Sequence, residues 1–292
     1  MTAITAALVK ELRDRTSAGM TDCKKALEAT GGDLDKAAEK LRMDGMAKAD
    51  KKGSRVAAEG VIALAEGADA VAMVELNSET DFVSKGDDFK AFVQKVAEVA
   101  LAQRPADMEA LLKLDGGQGA LDEQRRAMVA KIGENITIRR FVVVPKSDGD
   151  IAHYVHGSKI GVVVAMKQGV AELARDIAMH VAASSPRFLD ANAVPEDVLA
   201  AERKIIEAQS AEQAAGKPAE IVAKMMEGKV RKFVSEITLV GQPFVKNPDQ
   251  TVGQLLQASN AEVAAFVRFA VGEGIEREAT DFAAEVAAQA GL

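Results

Sequence analysis

"GVIALAEGADAVAMVELN", residues 60–77, decides the fold prediction, because two apolar runs flank a turn that contains glycine. Two such runs joined by a short turn predict a β-hairpin. "AHYVHGSKIGVVVAM", residues 152–166, repeats the pattern around Gly157 and Ser158. The middle of the chain therefore contains two predicted hairpins.

A helix is predicted after each hairpin. "FKAFVQKVAEVALAQRP" (89–105) and "VAELARDIAMHVAASSP" (170–186) align without a gap, and both end in proline. The matched positions keep one helix face apolar in both copies; they pair Phe92 with Leu173, Val96 with Ile177, Ala97 with Ala178 and Ala100 with Val181. The recurrence favours a duplicated α+β core, with an N-half at 60–145 and a C-half formed by 146–194 and 236–276.

The two copies differ between hairpin and helix. Asn77 and Phe89 are 12 positions apart, whereas the corresponding Met166 and Val170 are 4 apart. The extra residues fall within "SETDFVSKGDD" (78–88), which places Phe82 in a polar loop. Loops longer than a connection requires are often functional. The residues leave two alternatives open: Phe82 folds back into its own core, or it contacts another protein.

Residues 1–46 predict a compact domain of three short helices. Ile4, Leu8 and Leu12 share one face of the first helix, and Thr21 is the expected N-cap of the second. Asp33 is the expected cap of a third helix over residues 34–42. Such a small module is typical of a docking domain.

Residues 47–59 carry several cations and no apolar periodicity, which predicts a flexible or partly helical linker. A basic arm for nucleic acid is the less favoured alternative for this segment. Further along, residues 121–144 predict a helix that runs into a strand, and residues 195–235 predict an antiparallel helical hairpin. A strand is expected within 262–276, and 277–292 is expected to form a C-terminal helical module.

Composition limits the class of protein. The formal net charge of −7 argues against a protein that tracks nucleic-acid phosphates, which requires a basic face. No apolar run approaches the roughly 20 residues that cross a bilayer, so no membrane association is expected. The single cysteine, Cys23, forms no internal disulfide and is expected to be a buried small residue. We therefore expect a cytoplasmic, helix-rich α+β protein.

A catalytic or metal site is not evident in the sequence. His153 and His156 are three apart on a predicted strand and so point to opposite faces, while His180 has no second ligand one helical turn away. The phosphate loop, the dinucleotide fingerprint and the serine nucleophile elbow are all missing. The expectation is no metal, no cofactor and no enzymatic activity.

Several motifs resemble one family along the whole chain. "LRDRTSAGMTDCKKAL" (12–27) and "ELNSETDFVSK" (75–85) are similar to the two signatures of the bacterial translation elongation factor Ts family. The likeness continues in order through five shorter motifs: "KIGENITIRR" (131–140), "HGSKIGV" (156–162), "GQPFV" (241–245), "TVGQLL" (251–256) and "VGEGIE" (271–276).

The resemblance implies a guanine-nucleotide exchange factor that binds GDP-bound elongation factor Tu and leaves it nucleotide-free. It implies that the first domain resembles a ubiquitin-associated domain, and it points to the helical hairpin as a surface for a homodimer. It also implies that the loop Thr80, Asp81, Phe82 and Val83 enters the partner's nucleotide domain and dislodges its Mg²⁺. The role of Asp81 stays open between polarising the partner's helix ends and competing within its Mg²⁺ network.

Further contacts with the partner are implied for Met20 and Val9 in the first domain and for His156 and Lys159 in the second core half. An alternative for Met20 is a hydrophobic staple before its helix. Two other functions compete with exchange: an adaptor built on the small helical domain, and an enzyme with an unrecognised site. Neither accounts for motifs that match from one end of the chain to the other.

Overall fold

The computed structural model describes residues 4–16, 18–146, 149–214 and 217–276. The C-terminal helical module expected at 277–292 lies outside the described residues. The chain divides into two compact units, the first of Met1–Ala65, Val74–Val142 and Ala270–Leu292 and the second of Glu66–Met73 and Val143–Phe269.

Helices and strands are both abundant in the described residues, so the protein is α+β. The first part of the chain contains α1 (Ala6–Thr16), α2 (Met20–Ala29), α3 (Leu34–Lys52), β1 (Glu59–Glu66), β2 (Ala70–Ser78), α4 (Asp81–Lys85), α5 (Asp87–Gln103), α6 (Met108–Lys113), α7 (Leu121–Ile132) and β3 (Ile136–Pro145). The second part contains β4 (Ile151–His156), β5 (Ile160–Gln168), α8 (Ala171–Ser184), a 3₁₀ turn (Ala191–Ala193), α9 (Glu196–Ala214), α10 (Ala219–Ile237), β6 (Pro243–Phe244), β7 (Asn247–Thr251), α11 (Val252–Ala258) and β8 (Glu262–Ala270).

The first three helices enclose a small core in which Leu12, Cys23 and Leu27 are fully buried. The expected N-cap of α2 is wrong: the cap is Gly19, and Thr21 lies inside the helix. The Asp33 cap is confirmed, because its carboxylate accepts hydrogen bonds from two backbone N–H groups of α3.

The third helix is longer than the sequence prediction, which ended it at residue 42. It continues to Lys52, so the first part of the predicted linker is helical. Tertiary packing explains the extension, since Ala49 is buried and α3 packs along α7. A Cβ at Gly45 would lie 3.1 Å from the Cβ of Ala130, so the small residue allows the two helices to approach closely.

Two three-stranded sheets follow, with strand orders β1-β2-β3 and β4-β5-β8. Every residue of β2 is buried, the polar Glu75, Asn77 and Ser78 together with the apolar residues whose burial the sequence predicts. In the second sheet, β4 and β5 pair antiparallel, from Ile151 opposite Ala165 to His156 opposite Ile160. Gly157 and Ser158 connect them with φ of +54° and +58°, the left-handed pattern of a type I′ hairpin turn.

The helices after the two hairpins bury the predicted faces. Val96, Ala97 and Ala100 of α5 are fully buried, as are their counterparts Ile177, Ala178 and Val181 of α8. In the second unit α8 packs on β4 and β5. Helices α9 and α10 contact each other, and Lys229 Nζ donates to Ser210 Oγ at 2.6 Å between them.

Candidate functional site

The extra segment in the first copy is a one-turn helix that exposes an aromatic ring. Residues 79–86 separate β2 from α5, whereas only residues 169–170 separate β5 from α8. Helix α4 occupies most of this insertion, so the expected loop is partly helical. Phe82 lies on α4 with 83% of its surface exposed, and it does not fold back into the core.

The base of α4 is attached to the start of the third strand. Thr80 is the N-cap residue in an extended conformation, but its hydroxyl does not cap the helix. Instead the Thr80 hydroxyl donates to Glu134 Oε1 at 2.7 Å, and the Thr80 backbone N–H donates to Glu134 Oε2 at 3.0 Å. One carboxylate therefore accepts both polar hydrogens of the residue that begins α4.

The neighbouring residues make the reciprocal contact. The Asn135 backbone N–H donates to Glu79 Oε1 at 2.6 Å, and the Asn135 side chain donates to the Arg55 carbonyl at 2.7 Å. Lys52 Nζ donates to the Gly133 carbonyl. Residues Gly133, Glu134 and Asn135, here called the 133–135 hub, thus hold both the end of α3 and the base of α4.

The turn of α4 is closed by hydrogen bonds among its own residues and Gly86. The buried Ser84 donates from its hydroxyl to the Asp81 carbonyl at 3.1 Å, and the Gly86 N–H donates to the Val83 carbonyl at 3.0 Å. Lys85 Nζ contacts Asp81 Oδ2 at 2.6 Å, and this hydrogen bond raises the pKa of Lys85. Asp81 and Val83 are half-buried. The result is an anchored turn with one apolar ring directed to solvent.

The two residues predicted in the helical domain have different environments. Met20 is the first residue of α2 and is 46% exposed, so its side chain is available at the surface. Val9 is 7% exposed and belongs to the core of the three helices. Little of the Val9 side chain is available at the surface in this structure, because it packs inside the domain.

In the second unit, His156 ends β4 and is exposed, while Lys159 follows the hairpin turn and is half-buried. The Tyr154 hydroxyl and His156 Nδ1 lie 3.1 Å apart, within hydrogen-bond distance. His180 is a core residue whose side chain is fully buried. Its ring nitrogens contact Gln242 Oε1 at 3.0 Å and the Val245 N–H at 3.2 Å.

The sequence interpretation missed Glu134 and Asn135. Their signal was available, because both are polar residues at the junction between α7 and β3, inside the "KIGENITIRR" motif. Their contacts with Thr80 and Glu79 span 54 and 56 positions in the chain, however, so no local pattern connects them.

The described residues, 4–16, 18–146, 149–214 and 217–276, also bear on a metal site and a membrane span. Among them no three His, Cys, Asp or Glu side chains are grouped so as to hold a metal ion. In the same part of the chain, no helix is both long enough and apolar enough to cross a membrane.

Comparison with known proteins gives a consistent result. The family model described as "Elongation factor TS" matches residues 79–273. An elongation factor Ts from Methylococcus capsulatus is 58% identical over 289 residues, which cover 98% of this chain and 98% of the relative. Those of Hydrogenovibrio crunogenus and Xanthomonas campestris pv. campestris are 56% and 53% identical, and each alignment covers 99% of this chain.

Proposed function

This chain belongs to the elongation factor Ts family and is a guanine-nucleotide exchange factor for elongation factor Tu, and we propose that Phe82 inserts into the partner's nucleotide domain and so promotes release of GDP. One observation supports this role: an aromatic ring that is 83% exposed on an anchored helical turn. A large apolar side chain gains about 1.5–3 kcal/mol when it is fully buried. Phe82 realises that gain only when the partner's nucleotide domain admits it.

The exchange step follows from linkage between two binding events. If Phe82 and nucleotide-bound Mg²⁺ favour different conformations of the partner, insertion of Phe82 weakens Mg²⁺ and GDP binding. The coupling is reciprocal, so GDP lowers the affinity of this chain for elongation factor Tu by the same factor. Thr80, Asp81 and Val83 would enter the partner together with Phe82, and the complex would proceed from GDP-bound to nucleotide-free.

The proposed order of events can be tested with Mg²⁺ itself. A fluorescent GDP analogue bound to elongation factor Tu is released after mixing with excess GDP, with and without this chain. Acceleration should be large in millimolar Mg²⁺ and small when the Mg²⁺ has been removed with a chelator. Equal acceleration in both solutions would contradict a mechanism in which the chain dislodges the metal.

Further contacts are proposed for anchoring rather than for opening. Exposed Met20 fits a contact with the nucleotide domain, and exposed His156 with Lys159 fits a contact with the partner's other domains. These residues would contribute to the affinity for the partner and would take no part in Mg²⁺ release. We do not extend it to Val9, whose side chain is buried.

The domain organisation is part of the proposal. We propose a ubiquitin-associated-like domain at 1–46, a linker at 47–59, a duplicated core of two α+β halves and a protruding hairpin near 195–235. The repeated order of strand, strand and helix supports the duplication. The exposed Ile205 and Ile221 of α9 and α10 support a homodimer through the hairpin.

The exchange role itself involves no covalent chemistry by this chain, so we propose that it is not an enzyme. Its partner works in translation, which places its proposed site of action in the cytoplasm. The adaptor alternative is not favoured, because the relatives match along almost the whole chain rather than along the first domain alone.

A further inference from the structure

The 133–135 hub contacts the base of the short helix that bears Phe82. Helix α4 has five residues, whereas isolated helices shorter than about 12–15 residues are marginal in water. Its orientation therefore depends on contacts with the rest of the first unit. On the N-terminal side of Phe82, Thr80 makes such a contact through its pair of hydrogen bonds to Glu134.

This contact restricts orientation as well as position. Two parallel hydrogen bonds to one carboxylate fix the direction of the donor group, and bonds to an ionised acceptor are stronger than neutral ones. Glu134 in turn is fixed by its neighbours, because Gly133 and Asn135 contact the segment at the end of α3. The direction of α4 is thus determined by a polar cluster that lies outside the Thr80–Val83 segment.

We propose that Glu134 is a positioning residue for nucleotide exchange, which holds α4 so that the ring of Phe82 is oriented before the partner arrives. This inference rests on the proposed insertion of Phe82. A group that is already oriented loses less conformational freedom on binding. Glu134 would therefore affect the opening step rather than the stability of the initial complex.

The first test is Glu134→Gln, which keeps the size of the side chain but replaces one of the two accepting oxygens with an amide NH₂, so that at most one of the two hydrogen bonds from Thr80 remains. At saturating concentrations of the factor, GDP release from elongation factor Tu should slow by about tenfold. The concentration giving half-maximal acceleration should change much less, because the other contacts remain. Glu109→Gln is the matched control, since Glu109 is exposed on α6 and paired with Lys113.

The second test separates positioning from a general structural role. Glu134→Gln is combined with Phe82→Ala, and the rates of the two single variants and the double variant are compared. If Glu134 acts through Phe82, adding Glu134→Gln to Phe82→Ala should slow GDP release by less than about twofold. The same substitution in the wild-type background should slow it by about tenfold. A tenfold cost in both backgrounds would overturn the proposal.

The same release rates test the insertion of Phe82 and the positioning role of Glu134 separately. A wild-type rate for Phe82→Ala would overturn insertion of Phe82 and the role of Glu134 with it. A slow Phe82→Ala together with a wild-type rate for Glu134→Gln would overturn the role of Glu134 alone. If Glu134→Gln does not fold, Thr80→Val removes one hydrogen bond of the same pair from the other side and should slow release in the same way; an unchanged rate would overturn the proposal.

Discussion

Arg140 Nε donates to Glu75 Oε2 at 2.6 Å, and the Glu75 side chain is completely buried in the middle of β2. Arg139 donates to Glu75 Oε1 at 3.0 Å, and the Gly272 N–H donates to the same oxygen at 2.8 Å. A buried carboxylate is costly unless it is paired, and here the pairing joins β2, β3 and residue 272 within the first unit.

Glu75→Gln should therefore destabilise the protein. The substitution removes the charge that two arginines compensate, and we expect a loss of roughly 2–4 kcal/mol in the free energy of unfolding. Chemical denaturation followed by circular dichroism measures it. Glu98→Gln, at an exposed site beside Lys95, is the control and should change stability by less than about 0.5 kcal/mol. A Glu75 variant as stable as this control would contradict the structural role.

The same carboxylate predicts a dependence on pH. Burial raises the pKa of Glu75, but the hydrogen bonds from Gly272, Arg139 and Arg140 outweigh burial and leave the pKa below its usual value. The unfolded chain binds this proton near pH 4.3, so the stabilisation is complete above that pH and is lost as pH falls through the lower folded-state pKa. The stability difference between wild type and Glu75→Gln should narrow on acidification; a constant difference would contradict the linkage.

His180 predicts a second pH effect at higher pH. Its Nδ1 accepts from the Val245 N–H, so Nε2 carries the proton and donates to Gln242. Burial lowers the pKa of His180, and the hydrogen bond to Gln242 only partly opposes this. Below about pH 6.5 the unfolded chain takes up a proton that the folded chain does not, so stability should fall as pH decreases from about 7.

The measurement is urea denaturation from pH 8 to pH 5. The free energy of unfolding of wild type should fall from pH 7 to pH 5, and His180→Phe should lose the part of this fall that is due to His180. His156→Gln, at an exposed position, should keep all of it. The account of His180 is wrong if His180→Phe and wild type have parallel profiles.

Substitution by alanine should have opposite effects on stability at two glycines. A Cβ at Gly60 would lie 2.1 Å from the Leu76 carbonyl oxygen, so Gly60→Ala should force β1 and β2 apart and cost at least about 2 kcal/mol. At Gly228, inside α10, a Cβ would meet no atom within 4 Å. Gly228→Ala should stabilise the helix by about 0.5–1 kcal/mol. Thermal unfolding of the two variants compares them directly, and equal shifts would contradict the packing described for β1.

Periodic features of the fold were predictable from the sequence, and contacts between distant residues were not. Hairpin signals located β1, β2, β4 and β5, and the matched apolar positions identified the buried faces of α5 and α8. The end of α3 was missed because residues 47–59 were interpreted as a linker without apolar periodicity, whereas contact with α7 supports the helix as far as Lys52. Propensity and periodicity are local, and tertiary packing overrides them.

The candidate site shows the same limit. The length of the insertion and its aromatic residue directed attention to Phe82, but the residues alone did not decide between core and surface. The structure shows the ring at the surface, on a turn that Thr80 ties to Glu134. The contact between Glu134 and Thr80 could not be predicted from the sequence, since it joins residues 54 positions apart.

The most direct test of the account is stopped-flow release of fluorescent GDP from elongation factor Tu in the presence of Mg²⁺, with wild type compared with Phe82→Ala. Val170→Ala is the matched control, since Val170 is also an apolar residue with most of its surface exposed, at 62%. We predict that wild type and Val170→Ala accelerate release by orders of magnitude and that Phe82→Ala, while folded, loses about tenfold or more of that acceleration. A folded Phe82→Ala that matches wild type would contradict the account of how this chain opens its partner.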